Sequence, residues 1–377
     1  MDSLRHIGLL VMLTTTAGAR AEWQMQRSGS HVTLRGIHAV SAGVAWASGA
    51  EGTVLRTEDG GYVWQRCSVP EGAEKLDFRG IWGWDAKNAI VMSSGPGKES
   101  RLYKTTDGCN HWRLVITNSD EKGFWDAIAF VGAKNGTLVG DPVDGRFVVA
   151  HTNDAGEHWR RSQNPQLAAN PGETVFAGSN SALFAPSAIA AVFGTGGTGG
   201  PRIFTGVTVL GEKWKAVDAP LAKGTATSGV FSIAFRDGLH GVAVGGDFAK
   251  PADPKGTVAL TMDGGITWQA PPGHWPRGYR SAVAYDASHN AWICGGTTGT
   301  DFSLDDGRTW QRLDDGDWNG LSLPYVVGPK GKIARLVSLA PQGPERKQET
   351  KADAMPPIAP APSPKKQAIH SQSGRQT

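Results

Sequence analysis

Short apolar runs alternate with polar turns along most of the 377-residue chain. Runs of this length, bounded by Gly, Asp and Ser, predict β-strands. In one representative stretch the four runs begin at Phe78, Ala89, Leu102 and Trp112. Four strands in a repeat of about 45 residues form one blade of a β-propeller, in which neighbouring units bury one another's apolar faces.

An octapeptide recurs where the third strand of a unit turns into the fourth. It starts with Ser or Thr, and it has Asp in the third position, a small residue in the fifth and Trp in the eighth. The five copies are Thr57–Trp64, Thr105–Trp112, Thr152–Trp159, Thr261–Trp268 and Ser303–Trp310. The Asp carboxylate can accept backbone N–H bonds, and the Trp can cover the seam between two blades. We therefore expect these Asp and Trp residues to be structural and not catalytic.

Counting first strands gives the number of blades. A decayed turn between Phe204 and Trp214 keeps the Trp and lacks the Asp. The seven predicted first strands are Leu34–Ile37, Phe78–Ile81, Phe124–Ile128, Val175–Ala177, Val230–Ile233, Tyr279–Val283 and Asn319–Leu323. The seventh blade lacks a fourth strand, so we expect Glu22–Gln26 to pair with Ile333–Val337 and close the ring. The predicted fold is all-β: a seven-bladed β-propeller with four-stranded blades over residues 22–340.

Both ends of the chain differ from this repeat. Residues 1–21 resemble a signal peptide, with Arg5 before an apolar run and Ala19-Arg20-Ala21 as the cleavage site. Residues 341–377 carry seven prolines and few large apolar residues, which predicts a disordered tail. We therefore expect a periplasmic or secreted protein with no membrane-spanning segment once the signal is removed.

The charge distribution and the cysteine content limit the kinds of partner and site that the chain can have. The tail holds six basic and three acidic residues, so its net charge equals the +3 of the whole chain. The propeller itself is close to neutral, which argues against a nucleic-acid partner. Cys67, Cys109 and Cys294 show no metal-site spacing, and we expect buried free thiols, with one disulfide as the alternative. No metal and no cofactor are predicted.

The octapeptide resembles the Asp-box, or bacterial neuraminidase repeat. The order of blades is more similar to the photosystem II assembly and stability factor family and its non-photosynthetic bacterial relatives, from about Trp23 to Leu339. The most specific segments are Gly140–Phe147, Gly245–Phe248 and Gly278–Ser281. The resemblance implies a rigid lumenal or periplasmic binding scaffold with no established activity in the bacterial relatives.

Charged residues are predicted to converge on the face opposite the octapeptide turns, close to the axis. They begin first strands or flank the loops between second and third strands, and Tyr279 accompanies them. The candidate ligand-binding residues are Arg35, Arg79, Asp126, Asp141, Arg146, Glu173, Asp247, Tyr279, Arg280 and Asp301. Convergent charges in a concave mouth favour a site. The alternative is that each Arg pairs with a neighbouring Asp and only locks adjacent blades.

Three functions fit this pattern. The first is a non-enzymatic, monomeric binding propeller that holds a protein partner, or an anionic small ligand or glycan, with Arg35, Arg79, Arg146 and Arg280 as anchors. The second is a sialidase-like glycosidase, for which Tyr279 and Glu173 would be the nucleophile pair and Asp126 the acid. Leu34-Arg35-Gly36-Ile37 stands where sialidases carry Phe/Tyr-Arg-Ile-Pro, which counts against it. The third is an uncharacterised oxidoreductase-like relative, although no dinucleotide or haem motif is present.

Overall fold

The computed structural model describes residues 22–207 and 212–339. The predicted signal peptide and tail lie outside these ranges. Within them the chain is all-β and forms seven sheets, one per blade, so the predicted seven-bladed propeller is confirmed. None of the helices in the described ranges is long and apolar enough to cross a bilayer.

The first three blades follow chain order. Blade 1 contains Leu34–Ala39, Ala45–Gly49, Val54–Thr57 and Gln65–Arg66. Blade 2 contains Phe78–Gly83, Ala89–Ser93, Arg101–Thr105 and Arg113–Thr117. Blade 3 contains Trp125–Val131, Asn135–Val143, Arg146–Thr152 and Arg160–Arg161. First strands of neighbouring blades contact one another, so they form the inner wall of the ring.

The remaining blades are less regular. Blade 4 contains Leu183–Ser187, Ala190–Gly194, Arg202–Val207 and Lys213–Asp218. Blade 5 contains Ser228–Phe235, Gly241–Asp247 and Val258–Thr261, with an isolated bridge between Leu260 and Gln269 at its outer edge. Blade 6 contains Ala282–Asp286, Ala291–Gly296, Gly299–Ser303 and Gln311–Asp314. Blade 7 contains Gly320–Ser322, Tyr325–Val327 and Ile333–Ser338, completed by Glu22–Gln26.

Two further short strands, Glu173–Thr174 and Gly196–Gly197, extend the sheet of blade 5 beyond its first strand. Two single-turn 3₁₀ helices span Gly97–Glu99 and Pro165–Leu167.

The ring closes as predicted. Glu22–Gln26 runs antiparallel to the last strand, with Trp23 opposite Leu336 and Gln26 opposite Ile333. The Trp23 indole N–H donates to Thr300 Oγ1 of blade 6 at 2.8 Å. The Gln26 side chain accepts from the Trp64 indole at 2.9 Å. The closing strand therefore ties blade 7 to both of its neighbours.

The apolar core is divided among the seams between blades. Seven clusters of buried side chains are present in the described residues, and each combines residues from two neighbouring blades. Between blades 1 and 2, for example, Trp46 packs with Phe78 and Ile81. Blade-to-blade burial, repeated around the ring, holds the fold together.

The octapeptide turns have the expected structure. In all five copies the Ser or Thr hydroxyl donates to the Asp Oδ1 at 2.7–3.0 Å. The same Asp oxygen accepts the backbone N–H of the seventh residue, as in the bond from Val63 to Asp59 at 3.0 Å. The fifth residue has positive φ in every copy, and Gly fills this position in four of them. The fifth residue of the blade 2 copy is Cys109, with φ 67°.

The expectation of free thiols is wrong for two of the three cysteines. Cys67 and Cys109 form a disulfide with a Cα–Cα distance of 5.3 Å, and Cys294 is buried and free. Cys67 follows the last strand of blade 1, and Cys109 lies in the octapeptide turn of blade 2. Chain order separates them by 42 residues, but the seam between the two blades brings them together.

The predicted first strand of blade 4 is also wrong. That strand is Leu183–Ser187, not Val175–Ala177. Residues 175–182 instead cross the axis of the ring, and we call them the channel segment. Ser179 donates to the carbonyl of Ser281 in blade 6 at 2.6 Å, and Asn180 accepts the backbone N–H of Ile128 in blade 3 at 2.8 Å. Val175 and Ala182, at the two ends of this segment, pack in the seam between blades 3 and 4, and Phe176 stacks on Phe231 of blade 5.

Candidate functional site

First strands begin, and second strands end, on one face of the ring. Leu34 at the start of blade 1, for instance, pairs with Gly49 at the end of the next strand. The octapeptide turns lie on the other face, next to the turns between first and second strands: Gly60 N–H donates to Gly43 O at 2.9 Å. The structure therefore separates the face with the octapeptide turns from the face that we call the mouth.

The mouth holds a central cavity of about 490 Å³. Five of the predicted site residues line it: Arg35, Arg79, Asp126, Asp141 and Tyr279. Further lining residues are Phe124, Val175, Phe176, Ala177, Gly178, Phe231, Phe248, Ser281, Thr297 and Asn319. The cavity thus joins the starts of several first strands to the channel segment, which forms part of its wall.

Two guanidinium groups share one carboxylate at this cavity. Arg79 Nε donates to Asp77 Oδ2 at 2.8 Å, and Arg35 Nε lies 3.6 Å from the same oxygen. The side chains of Arg35 and Arg79 are 32% and 29% exposed, so both retain access to the cavity. Burial lowers the pKa of Arg35, Asp77 raises it, and Arg79 lowers it further. Two cations against one shared anion leave positive charge for a ligand to neutralise.

Two carboxyl groups of blade 3 lie on the same cavity. Asp126 is 1% exposed, and its Oδ2 has no hydrogen-bond partner among the described residues. Burial raises the pKa of Asp126 well above its usual range, with a further contribution from Asp141. Asp141 accepts hydrogen bonds from Thr174 Oγ1 and from the Val175 N–H, the latter at 2.9 Å. Burial raises the pKa of Asp141 as well, and these two hydrogen bonds act against the rise.

An aromatic wall completes the cavity. Phe176 of the channel segment stacks on Phe231 with ring centroids 4.0 Å apart, and Phe231 meets Tyr279 edge-to-face at 4.8 Å. Phe248 approaches Phe231 and Tyr279 at 6.0 and 6.3 Å. Burial raises the pKa of the Tyr279 hydroxyl, so it remains protonated. Asp77 and the three Phe residues are not among the predicted site residues, because Asp77 precedes its strand and the sequence pattern places Phe176 within a strand.

Arg280 and Asp301 do not line the cavity. Arg280 is fully buried, and its guanidinium donates to Asp301, to Tyr279 O at 2.8 Å and to Thr298 Oγ1 at 2.8 Å. Asp301 also accepts from Arg277 Nε at 2.7 Å. The expected anchor is therefore an internal ion pair, which corresponds to the alternative in which the charges lock the structure.

The three other predicted site residues are also held away from the cavity. The Glu173 side chain is fully buried and pairs with Arg202 in blade 4. Asp247 accepts from Thr227 Oγ1 at 2.6 Å and from the Ala249 N–H at 3.0 Å, so it stabilises a turn. Arg146 is exposed on the hairpin of blade 3. Of the four predicted anchors, only Arg35 and Arg79 face the cavity.

The described residues hold no group of three or more His, Cys, Asp or Glu side chains that could bind a metal ion. The cavity can offer guanidinium donors, a buried carboxyl group and an aromatic surface. These groups suit the recognition of a ligand that has an anionic group next to an apolar one.

Comparison with known proteins agrees with the resemblance drawn from the sequence. No protein-family profile matches the chain. The photosystem II stability/assembly factor HCF136 of the Arabidopsis thaliana chloroplast is 26% identical over 152 residues, which are 38% of this chain and 34% of that protein. The match therefore spans about a third of the curated relative.

Two solved propellers align with 84% of this chain, and each alignment includes 97% of the solved chain. The structure described as YCF48 bound to D1 peptide superposes with a TM-score of 0.56 at 15% identity. The WD40 β-propeller domain of Doa1 superposes with a TM-score of 0.58 at 10% identity. At these identities the superpositions establish the fold. Together with the sequence match, they make this chain a seven-bladed β-propeller similar to the photosystem II assembly factors.

Proposed function

We propose that this chain is a non-enzymatic binding propeller that captures a segment of a protein partner at the mouth. Arg35 and Arg79 would hold an anionic group of that segment, and the aromatic wall would receive an apolar side chain. The observation that carries the proposal is the pair of partly exposed guanidinium groups that share the single carboxylate of Asp77 beside an open cavity. Guanidinium groups match carboxylates in geometry as well as in charge.

The similar propeller YCF48 has been solved with a D1 peptide, which supports a peptide as the class of ligand. The size of the cavity, about 490 Å³, suits a few side chains and not a folded domain. An exposed segment or a chain end of the partner fits this space. The partner's remaining surface would then rest on the rim of the mouth.

The sialidase-like alternative loses its central pair of residues. Tyr279 lies on the cavity, but Glu173 is bound to Arg202 and Thr195 and is not a lining residue. The carboxyl groups that line the cavity in the described part of the chain are Asp126 and Asp141. A Tyr nucleophile needs a carboxylate to activate it, and Glu173 does not supply one here. We expect no turnover of a fluorogenic sialoside; hydrolysis that is lost in Tyr279→Phe would reverse this ranking.

We also propose that the protein acts outside the cytosol, in the periplasm or after secretion. The Cys67–Cys109 disulfide supports this compartment, since structural disulfides persist mainly in oxidising environments. Fractionation of the source cells would test the proposal. Recovery of the intact protein with its signal segment in the cytosolic fraction would contradict it.

Binding at the mouth can be tested with peptides selected on the wild-type protein from a random library with free carboxyl termini. Affinity is then measured by fluorescence anisotropy for the wild type, Arg35→Gln, Arg79→Gln and the double variant. Each lost charge-assisted hydrogen bond is worth about 1.5–3 kcal/mol, so we expect each single variant to bind roughly ten- to a hundredfold more weakly.

Arg146→Gln is the matched control, because Arg146 is exposed and does not line the cavity. It should bind like the wild type. Equal losses in the control and the cavity variants, or no loss in the double variant, would reject the mouth as the binding site.

A further inference from the structure

Asp126 is an unusual group for the wall of a binding cavity. It is the second residue of the first strand of blade 3, is 1% exposed, and has one carboxyl oxygen without a hydrogen-bond partner in the described part of the chain. A buried, unsatisfied carboxyl group is costly unless it is neutral or gains a partner. Neither its own strand nor the neighbouring blade gives that oxygen a partner, so the cavity side is where one would come from.

The charged groups that face Asp126 belong to two blades. Asp141, on the adjacent strand of blade 3, repels its ionised form, and Arg79 of blade 2 attracts it. Arg35 and Tyr279 are the other titratable groups on the cavity wall. Burial outweighs the attraction by Arg79, so the pKa of Asp126 is raised and its neutral form gains over the ionised one.

We propose, building on the function inferred above, that Asp126 makes the cavity selective for carboxylates and couples their binding to a proton. An anionic group held by Arg35 and Arg79 lies close to Asp126, because Arg79 interacts with both. A neutral Asp126 leaves that group unopposed and can donate its O–H to a ligand oxygen. An ionised Asp126 would add a negative charge beside the incoming anion and must first take up one proton.

The same arrangement predicts the sign of the pH dependence. Below the raised pKa of Asp126 the cavity is already competent, and affinity for a carboxylate is constant. Above that pKa the competent fraction falls about tenfold per pH unit, and the apparent affinity falls with it. A site made only of arginines and a ligand carboxylate would bind equally well over this range, since neither group titrates there.

The test uses the full chain and a dye-labelled peptide from the selection described above, bearing a free carboxyl terminus. Dissociation constants are measured from about pH 5 to about pH 9, where the terminal carboxylate remains ionised. The wild type should weaken as the pH rises, whereas Asp126→Asn, which is neutral at every pH, should bind with constant affinity. Asp218→Asn is the control, because Asp218 is exposed on blade 4 and does not line the cavity, and it should follow the wild type.

A second measurement does not depend on the folding of a variant. Titration calorimetry of the wild type in two buffers of different ionisation enthalpy gives the number of protons taken up, which should approach one at the alkaline end. An unchanged pH profile in Asp126→Asn, or no proton uptake by the wild type, would overturn this inference while leaving mouth binding intact. No binding of the free-acid peptide at any pH would instead remove the proposed function itself.

Discussion

Arg280 lies just before the first strand of blade 6, Ala282–Asp286, whereas Arg35 lies within the first strand of blade 1, and the two side chains have different roles. Arg280 is fully buried and bound to Asp301, whereas Arg35 is partly exposed at the cavity and shares Asp77 with Arg79. The backbone position differs as well as the partner: the N–H of Arg280, like that of the buried Leu34, donates to a carbonyl of the preceding blade. Asp301 lies on the third strand of blade 6 and pairs with Arg280 in the interior. Asp77, in contrast, is shared by Arg35 and Arg79.

This contrast predicts a large loss of stability for Arg280→Ala. Breaking a buried ion pair costs about 3–5 kcal/mol, and Arg277 still compensates Asp301, so we expect the lower end of that range. Arg146→Ala, at an exposed position, should change the free energy of unfolding by less than about 0.5 kcal/mol. Urea denaturation of both variants tests this. A small effect of Arg280→Ala would mean that its ion pair does not stabilise the fold.

At the scale of single elements, the octapeptide turn is stabilised by an ionised carboxylate. The backbone N–H and the side chain of His111 hold the pKa of Asp107 at about 2, below the ordinary value of the unfolded chain. The backbone N–H of Val63 and the hydroxyl of Thr57 lower the pKa of Asp59 in the same way. A carboxyl group with a depressed pKa stabilises the fold above its unfolded pKa, and this contribution disappears as the pH falls through the folded value.

We therefore expect the turns to weaken between about pH 4 and about pH 2. Asp107→Asn should melt below the wild type near neutral pH, because the amide accepts these bonds less strongly, and the difference should shrink towards pH 2. Asp218→Asn, at an exposed position of blade 4, is the control and should match the wild type. The melting temperatures of the wild type and both variants, measured across this pH range, test the prediction. A gap between Asp107→Asn and the wild type that stays constant with pH would show that the charge is not what stabilises the turn.

The elements also show where sequence reasoning succeeds and where it stops. The repeat reveals seven blades and the closing strand, because five copies carry the full octapeptide and the decayed turn and the N-terminal strand keep Trp214 and Trp23. It misplaces the first strand of blade 4, since Val175 is buried in the seam between blades 3 and 4, as a strand residue would be, although it belongs to the channel segment. It gives a disulfide only as the alternative and assigns no pairing, although Cys109 lies in the octapeptide turn of blade 2 and Cys67 directly follows the last strand of blade 1.

At the scale of the whole molecule, the closed ring holds the residues of the cavity in place, so the site is preformed. Blades 1 and 2 supply Arg35 and Arg79, blade 3 supplies Asp126 and Asp141, and the opposite side supplies Phe231 and Tyr279. These groups come from distant parts of the chain and keep their spacing only while all the seams are packed. A preformed site avoids the ordering cost that a flexible one would incur on binding. The strand that closes the ring therefore matters to function as well as to stability.

Trp23 tests how much the closing strand contributes to stability. Its side chain is 8% exposed, packs in the seam between blades 6 and 7, and donates to Thr300. Trp23→Ala should lower the free energy of unfolding by about 3–5 kcal/mol, as is usual for a large buried aromatic residue. Met25→Ala on the same strand is the control, because Met25 is 56% exposed, and it should cost little. Denaturant titration gives both values. Similar small losses in the two variants would show that the N-terminal strand contributes little to stability and that the other seams suffice to close the ring.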